Sequence, residues 1–261
     1  MTWMFKLAWK NLWRNKTRTV ITMSAILFAV LLAVVASSLK EGVFDNLVKN
    51  MVSFYSGYVQ VHQKGYWKEQ ILDNSFENKA SVLQIIANES NVSAVAPRIE
   101  SFALASSAES TKGCMVVGTD PLQENRLTQL QNKLIQGSYF EASEQTVLIA
   151  EGLAAQLKIN IQDTLVLIGQ GYHGATAAGK FQVAGILRFG SPALNDRILF
   201  LPLAAAQELY AAEGMITSLA LQLKNAGNLA HTQASLQQKL GNSYEAVSYT
   251  HLAGDSQMTL P

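Results

Sequence analysis

The sequence predicts an α+β extracytoplasmic domain, built from ferredoxin-like βαβ units with a β-rich inserted subdomain, behind one N-terminal transmembrane helix. Three observations predict it. Thr19–Leu39 runs 21 residues without a charge. Strand, helix, strand patterns recur at 57–100 and 216–249. Between them, residues 110–204 are rich in strand patterns.

The N-terminus explains the composition. Charged residues are 15% and apolar residues 49%, lean in charge for a wholly soluble chain. At about 1.5 Å per residue, the uncharged run spans roughly 30 Å as a helix, the thickness of a hydrocarbon core. A buried core helix is seldom apolar on every face for that length. A cleaved signal peptide is the rival, because Val34-Val35-Ala36 before Ser37 resembles a cleavage site. The long basic lead-in and the longer apolar run favour a membrane span.

That lead-in carries Lys6, Lys10, Arg14, Lys16 and Arg18 and no acid. On a helix, Met4, Phe5, Ala8, Trp9, Leu12 and Trp13 form an apolar stripe opposite Lys6, Lys10 and Arg14. Such a helix lies in the membrane interface, with Trp3, Trp9 and Trp13 as anchors. The five basic residues are the topology determinants, and they place the N-terminus in the cytoplasm. The parts are then a basic amphipathic helix over residues 1–18, a transmembrane helix over 19–39 and a periplasmic domain over 45–250. Within the domain, 45–109 and 205–250 form a porter-like subdomain around the insertion, and 250–261 is an atypical tail.

Along the domain, strands are expected at 57–63, 92–100, 113–119, 146–150, 164–169, 180–187, 197–202, 216–223 and 244–249. Helices are expected at 80–88, 124–136, 152–157, 203–212 and 229–240. Several strand runs alternate apolar with polar residues, as half-buried strands do.

"GQGYHGATAAGKF", Gly169–Phe181, contains G-x-G-x-x-G and most of a triphosphate loop. A dinucleotide turn needs a crossover helix after it, and "ATAA" leaves no room for one. A triphosphate loop needs a hydroxyl after the lysine, and Phe181 stands there. The stretch reads as a glycine-rich connection between two strands. His62, His173, His231 and His251 lack metal-ligand spacing and read as surface or loop residues. Cys114, the sole cysteine, reads as a small core residue. No catalytic constellation, metal site or cofactor site emerges, and a net charge of +1 gives no basic field for nucleic acid.

Several segments carry a resemblance. "LAWKNLWRNKTRTVITMSAILFAV" (Leu7–Val30), "GYVQVHQKGYW" (Gly57–Trp67), "VVGTDP" (Val116–Pro121) and "LIQGSYF" (Leu134–Phe140) come first. "VLIAEGLAAQLKINIQDTLVLIG" (Val147–Gly169), "FQVAGILRFG" (Phe181–Gly190) and "LFLPLAAAQELY" (Leu199–Tyr210) follow. In this order they resemble the N-terminal half of an ABC-transporter permease of the FtsX-like/MacB-like superfamily, most of all the lipoprotein-releasing permeases. Gln162 stands where the pattern has glycine before Asp163.

The resemblance implies a dimeric permease, with a second permease subunit identical or different, bound to a separate cytoplasmic ABC ATPase. It implies four transmembrane helices in the bacterial inner membrane, with a large periplasmic domain between the first and second. ATP hydrolysis then drives a non-catalytic domain that pushes on a lipoprotein or peptide cargo, with a periplasmic acceptor protein as a further partner. The expected function is extraction of lipoproteins from the inner membrane. Peptide or drug efflux and regulation of cell-wall hydrolases are alternatives within the superfamily. A single-pass receptor or scaffold is the alternative outside it. The segment after Tyr249 does not resemble the family's second helix, so a fragment, truncated product or broken frame is expected.

Overall fold

A computed structural model of the protein describes residues 2–51, 57–142 and 144–248. It divides into two compact units, Met1–Lys49 and Asn50–Pro261. The tail expected at 250–261 lies outside the described residues.

The first unit is helical. Helix α1 runs Thr2–Arg14 and α2 runs Lys16–Met51. Lys16–Lys40 of α2 is long and apolar enough to cross a membrane, and none of it is buried. A core helix of a soluble fold would hide such a surface. The helix continues past the apolar run. Its 36 residues extend about 54 Å, against about 30 Å of hydrocarbon.

In the second unit, ten strands join in one sheet among the described residues. Strands β1 (Val59–Gln63), β3 (Val92–Ser106), β11 (Ser218–Leu223) and β12 (Tyr244–Ser248) lie in the order β12-β1-β11-β3, all antiparallel. Helix α4 (Ala80–Ala87) leads from β1 toward β3, and α9 (Leu229–Leu240) leads from β11 to β12. Two β-α-β units therefore interleave their strands. Val82 and Ile86 of α4 pack with Leu236 and Leu240 of α9 against Val59, Val61, Leu219 and Leu221. Beside this layer, β2 (Phe76–Glu77) pairs with β10 (Met215–Ile216).

The other half is a barrel. Its strands are the second part of β3, β4 (Thr111–Thr119), β6 (Thr146–Ala150), β7 (Thr164–Gln170), β8 (Thr176–Leu187) and β9 (Ile198–Pro202). Pairing runs β3 to β4, β4 to β9, β9 to β6, β6 to β8, β8 to β7 and back to β3. Closure removes free edges from these six strands. Ala103, Cys114, Val116, Val147, Ile149, Leu165, Leu167, Phe181 and Leu199 belong to one buried cluster. Leu153 and Leu157 of α6 (Glu151–Leu157) and Ala206 of α8 (Leu203–Leu209) join it.

Several expected elements change. The helix expected at 124–136 is replaced by α5 (Pro121–Thr128), a 3-10 turn at Leu130–Lys133 and strand β5 (Leu134–Gly137). Asp120 caps α5 by accepting from Gln123 N at 2.9 Å, and Pro121 opens its first turn. Gln129 then turns left-handed at φ 52° and ends the helix. Strand β3 continues to Ser106 rather than stopping at Glu100. The run at 216–223 breaks at Thr217 into β10 and β11.

Two glycines in the family-like motifs sit where neighbouring atoms leave no room for a side chain. A Cβ on Gly118 would lie 2.2 Å from Ala206 Cβ and 2.6 Å from Ile99 Cγ2. Gly137 has φ +83° and would place a Cβ 2.1 Å from Ala184 O.

Candidate functional site

The residues expected to anchor and orient the chain occupy α1 and the first turn of α2. Trp9 and Trp13 are one turn apart, with ring centroids 6.2 Å from each other. Trp3 stands elsewhere on the helix, in a row with Leu7 and Lys10 at i, i+4 and i+7. The three tryptophans are thus all exposed but do not share one face. The side chains of Phe5, Ala8 and Leu12, part of the expected stripe, lie outside the described residues.

Lys6, Lys10 and Arg14 follow one another at i, i+4 and i+8 on α1. Lys16 and Arg18 open α2, whose first turn holds no acid. Cations at a helix N-terminus oppose the macrodipole, by about 0.3–1 kcal/mol each at the surface. Helix stability therefore does not account for them. Among the described residues, none of the five makes an ion pair. Inside the apolar run, Thr22 Oγ1 donates to Arg18 O at 2.9 Å, which satisfies its hydroxyl without water.

A second constellation, not foreseen from the sequence, lies where the two halves of the folded unit meet. At Arg98, β3 is in register with Ser218 of β11 on one side and Thr119 of β4 on the other. The Arg98 side chain is fully buried. Its Nε donates to Glu124 Oε2 at 2.9 Å and its Nη2 to Oε1 at 2.7 Å. Glu124, on α5, is equally buried and also accepts from Thr119 Oγ1 at 3.1 Å and Thr128 Oγ1 at 2.9 Å. Glu100 Oε1 approaches Arg98 Nη1 at 3.6 Å. Losing one partner of such a pair costs about 3–5 kcal/mol, because the other charge stays buried.

Thr217 extends the network. Its N–H donates to Arg98 O at 2.8 Å, and its Oγ1 accepts from Glu100 N at 2.9 Å. The Thr217 carbonyl accepts from His62 Nδ1 at 2.8 Å. His62 is a correction: it is buried on β1, not a surface or loop residue. Its ring stacks on Tyr66 at 4.8 Å, and Nε2 lies 3.0 Å from the Gln60 side chain. The facing atom is Gln60 Oε1; with Nδ1 protonated, Nε2 of the neutral ring is an acceptor, and it bonds this amide once the amide turns over to present its NH2. Burial outweighs the Thr217 hydrogen bond and lowers the His62 pKa to about 4. Beside Glu124, burial lowers Lys133 to about 8 against the pull of that carboxylate, and its Nζ donates to Thr128 O.

The glycine-rich stretch is a hairpin. Gln170 of β7 faces Thr176 of β8, and Gly171–Ala175 turns between them. Tyr172 N–H donates to Tyr210 O at 2.8 Å, and His173 N–H to Asp73 Oδ1 at 2.7 Å. No helix follows to direct amide groups at a phosphate. Cys114 faces the barrel cluster, and burial pushes its thiol up to about 12. His173 is exposed on the hairpin turn and His231 on α9, and His251 lies outside the described residues. Among the described residues, no group of three or more His, Cys, Asp or Glu is placed to hold a metal.

The described residues thus comprise one helix long and apolar enough to cross a membrane, and a folded unit in which an interleaved sheet shares a strand with a closed barrel. The chain belongs to the MacB-like periplasmic core domain family, whose family model matches residues 19–239. It is thereby a MacB-like/FtsX-like permease family member. One curated relative is the lipoprotein-releasing system transmembrane protein LolC of Neisseria meningitidis serogroup B, 22% identical over 173 residues. That match covers 63% of this chain and 41% of the relative, so the chain spans about two-fifths of its length. Among solved structures, the periplasmic region of MacB from Actinobacillus actinomycetemcomitans superposes with a TM-score of 0.54 at 14% identity. It is covered completely, by 83% of this chain. The extracellular domain of the noncanonic ABC-type transporter YknZ from Gram-positive bacteria gives 0.53 at 12% identity, with 74% of this chain covering all of it. These likenesses establish the fold.

Proposed function

We propose that the chain is part of a permease subunit that passes motion, driven by a separate cytoplasmic ATPase, to a periplasmic domain that extracts lipoproteins from the inner membrane. The observation that carries this is the return of the folded unit to its own starting point. Val59, eight residues in sequence after the end of α2 at Met51, pairs directly with Ser248 at the end of β12. A domain looped between two consecutive membrane helices needs its ends together in this way. The five basic residues before the span favour a cytoplasmic N-terminus, and Trp3, Trp9 and Trp13 suit the headgroup region. The lipoprotein cargo is supported by the likeness to a relative named for lipoprotein release. The domain itself performs no chemistry in this reading.

The test is purification of the full-length protein from native membranes under mild detergent. The expected companions are an ABC ATPase, a second permease subunit and an acylated protein. Recovery of the ATPase with a peptide or drug instead of an acylated protein would replace the cargo. Recovery without any ATPase would overturn the permease reading in favour of a single-pass receptor or scaffold.

A further inference from the structure

We propose that the network of Arg98, Glu124 and Thr217 is a joint that fixes the angle between the interleaved sheet and the barrel, so that the two move as one body. The inference rests on reading the domain as a transmitter of motion, since a lever that flexes at its middle passes on less displacement.

The geometry singles out this point. Strand β3 has 15 residues, about 50 Å of extended chain, and belongs to both halves. Up to Arg98 it pairs with β11, and from Arg98 onward it pairs with β4. A single shared strand can bend or twist wherever its neighbours change. At that change the network grips β3 from three directions. Glu124 holds the Arg98 guanidinium from α5 by two parallel bonds, the arrangement that fixes direction most tightly. Thr217 holds the β3 backbone on both sides of Ile99, through Arg98 O and Glu100 N. Thr119 ties β4 to the same centre, its single hydroxyl proton lying within reach of both Pro97 O at 3.2 Å and Glu124 Oε2 at 3.1 Å.

Burial separates this joint from a polar tie between the halves near the hairpin. Asp73 and His173 also meet across them, but their side chains are 44% and 70% exposed. Water competes for that contact, and exposed pairs contribute little. Nor is stability a sufficient reason for the buried pair, because apolar residues of similar volume often serve as well or better. What an apolar pair lacks is a preferred angle.

The experiment exploits that difference. Cysteines introduced as Gln156→Cys on α6 and Gln238→Cys on α9 carry spin labels on exposed helical positions, one in each half. The native Cys114 is buried and does not compete for label. The full chain in nanodiscs is compared with the same chain carrying Arg98→Met and Glu124→Leu. The expected result is an unchanged thermal midpoint with a distance distribution about twofold broader, as the halves begin to hinge. An unchanged distribution in the folded double variant would overturn the proposal. Should that variant not fold, Thr217→Val decides: broadening supports the joint and an unchanged width refutes it. Failure of the permease reading would appear as a missing ATPase on purification and would leave this distance measurement intact.

Discussion

Acid should weaken this fold through one histidine. His62 has an ordinary pKa of 6.5 in the unfolded chain and about 4 when folded. The folded value is depressed, so between these limits the unfolded state binds the extra proton and the native state does not. Stability is therefore full above pH 6.5 and declines as the pH falls toward 4. At about 1.36 kcal/mol per pH unit, the gap amounts to about 3 kcal/mol. The cause is burial between Tyr66 and the Thr217 carbonyl, where an imidazolium would lose its hydration. The assay is urea unfolding of the full chain in detergent micelles, followed by circular dichroism, from about pH 7.5 down to about pH 4.5. Carboxylates begin to titrate at the lower end, so the control is His62→Asn, which keeps a donor for Thr217 O. That variant should lose most of the slope. An equal slope in the variant, or a flat profile in the parent chain, would refute the assignment.

Three further outcomes are expected. Gly118→Ala should cost about 1–3 kcal/mol in the urea midpoint, because the new methyl meets Ala206 and Ile99 inside contact distance; an unchanged midpoint would show that α8 can retreat freely. Gln162→Gly should stabilise by about 0.5 kcal/mol, since Gln162 sits at φ 71° and relief of that conformation slightly exceeds glycine's entropic penalty; a lower midpoint would count against strain there. Replacing Lys6, Lys10, Arg14, Lys16 and Arg18 together with glutamate should disturb insertion or invert topology, read by accessibility of an N-terminal tag; an unaltered topology would remove these residues from the anchor.

Local pattern made some elements easy to read. "TVLIA" is β6 and "LAHTQASLQQKL" is α9 to the residue, because one is a β-branched run and the other repeats its apolar side chains at helical spacing. The 124–136 region misled for the same reason. Leu127, Leu130 and Leu134 keep a helical period, yet Gln129 turns left-handed, and Leu127 and Leu130 are buried while Leu134 is half-buried, each on a different element. Strand β3 ran on past Glu100 because Phe102 and Leu104 face outward while Ala103 and Ala105 face the barrel core. An exposed phenylalanine beside a buried alanine inverts the usual alternation. Asp120 before Pro121 did announce the start of α5, and so indirectly the place of Glu124.

The anchor and the joint differ in the same way. Every residue of the anchor lies within 18 positions of the start, so helical spacing alone relates them. The proposed joint gathers residues 98, 124 and 217, and charge in a sequence gives no sign of which cation will meet which carboxylate away from water.

By itself the sequence determined the long apolar helix, the basic lead-in and the α+β class, since each follows from the composition and period of contiguous residues. Only the tertiary structure decided that β3 serves two halves, that the middle strands close into a barrel and that His62 and Arg98 are hidden. Those features depend on which distant strands pair, and pairing is settled by the packing of the whole core rather than by any one segment.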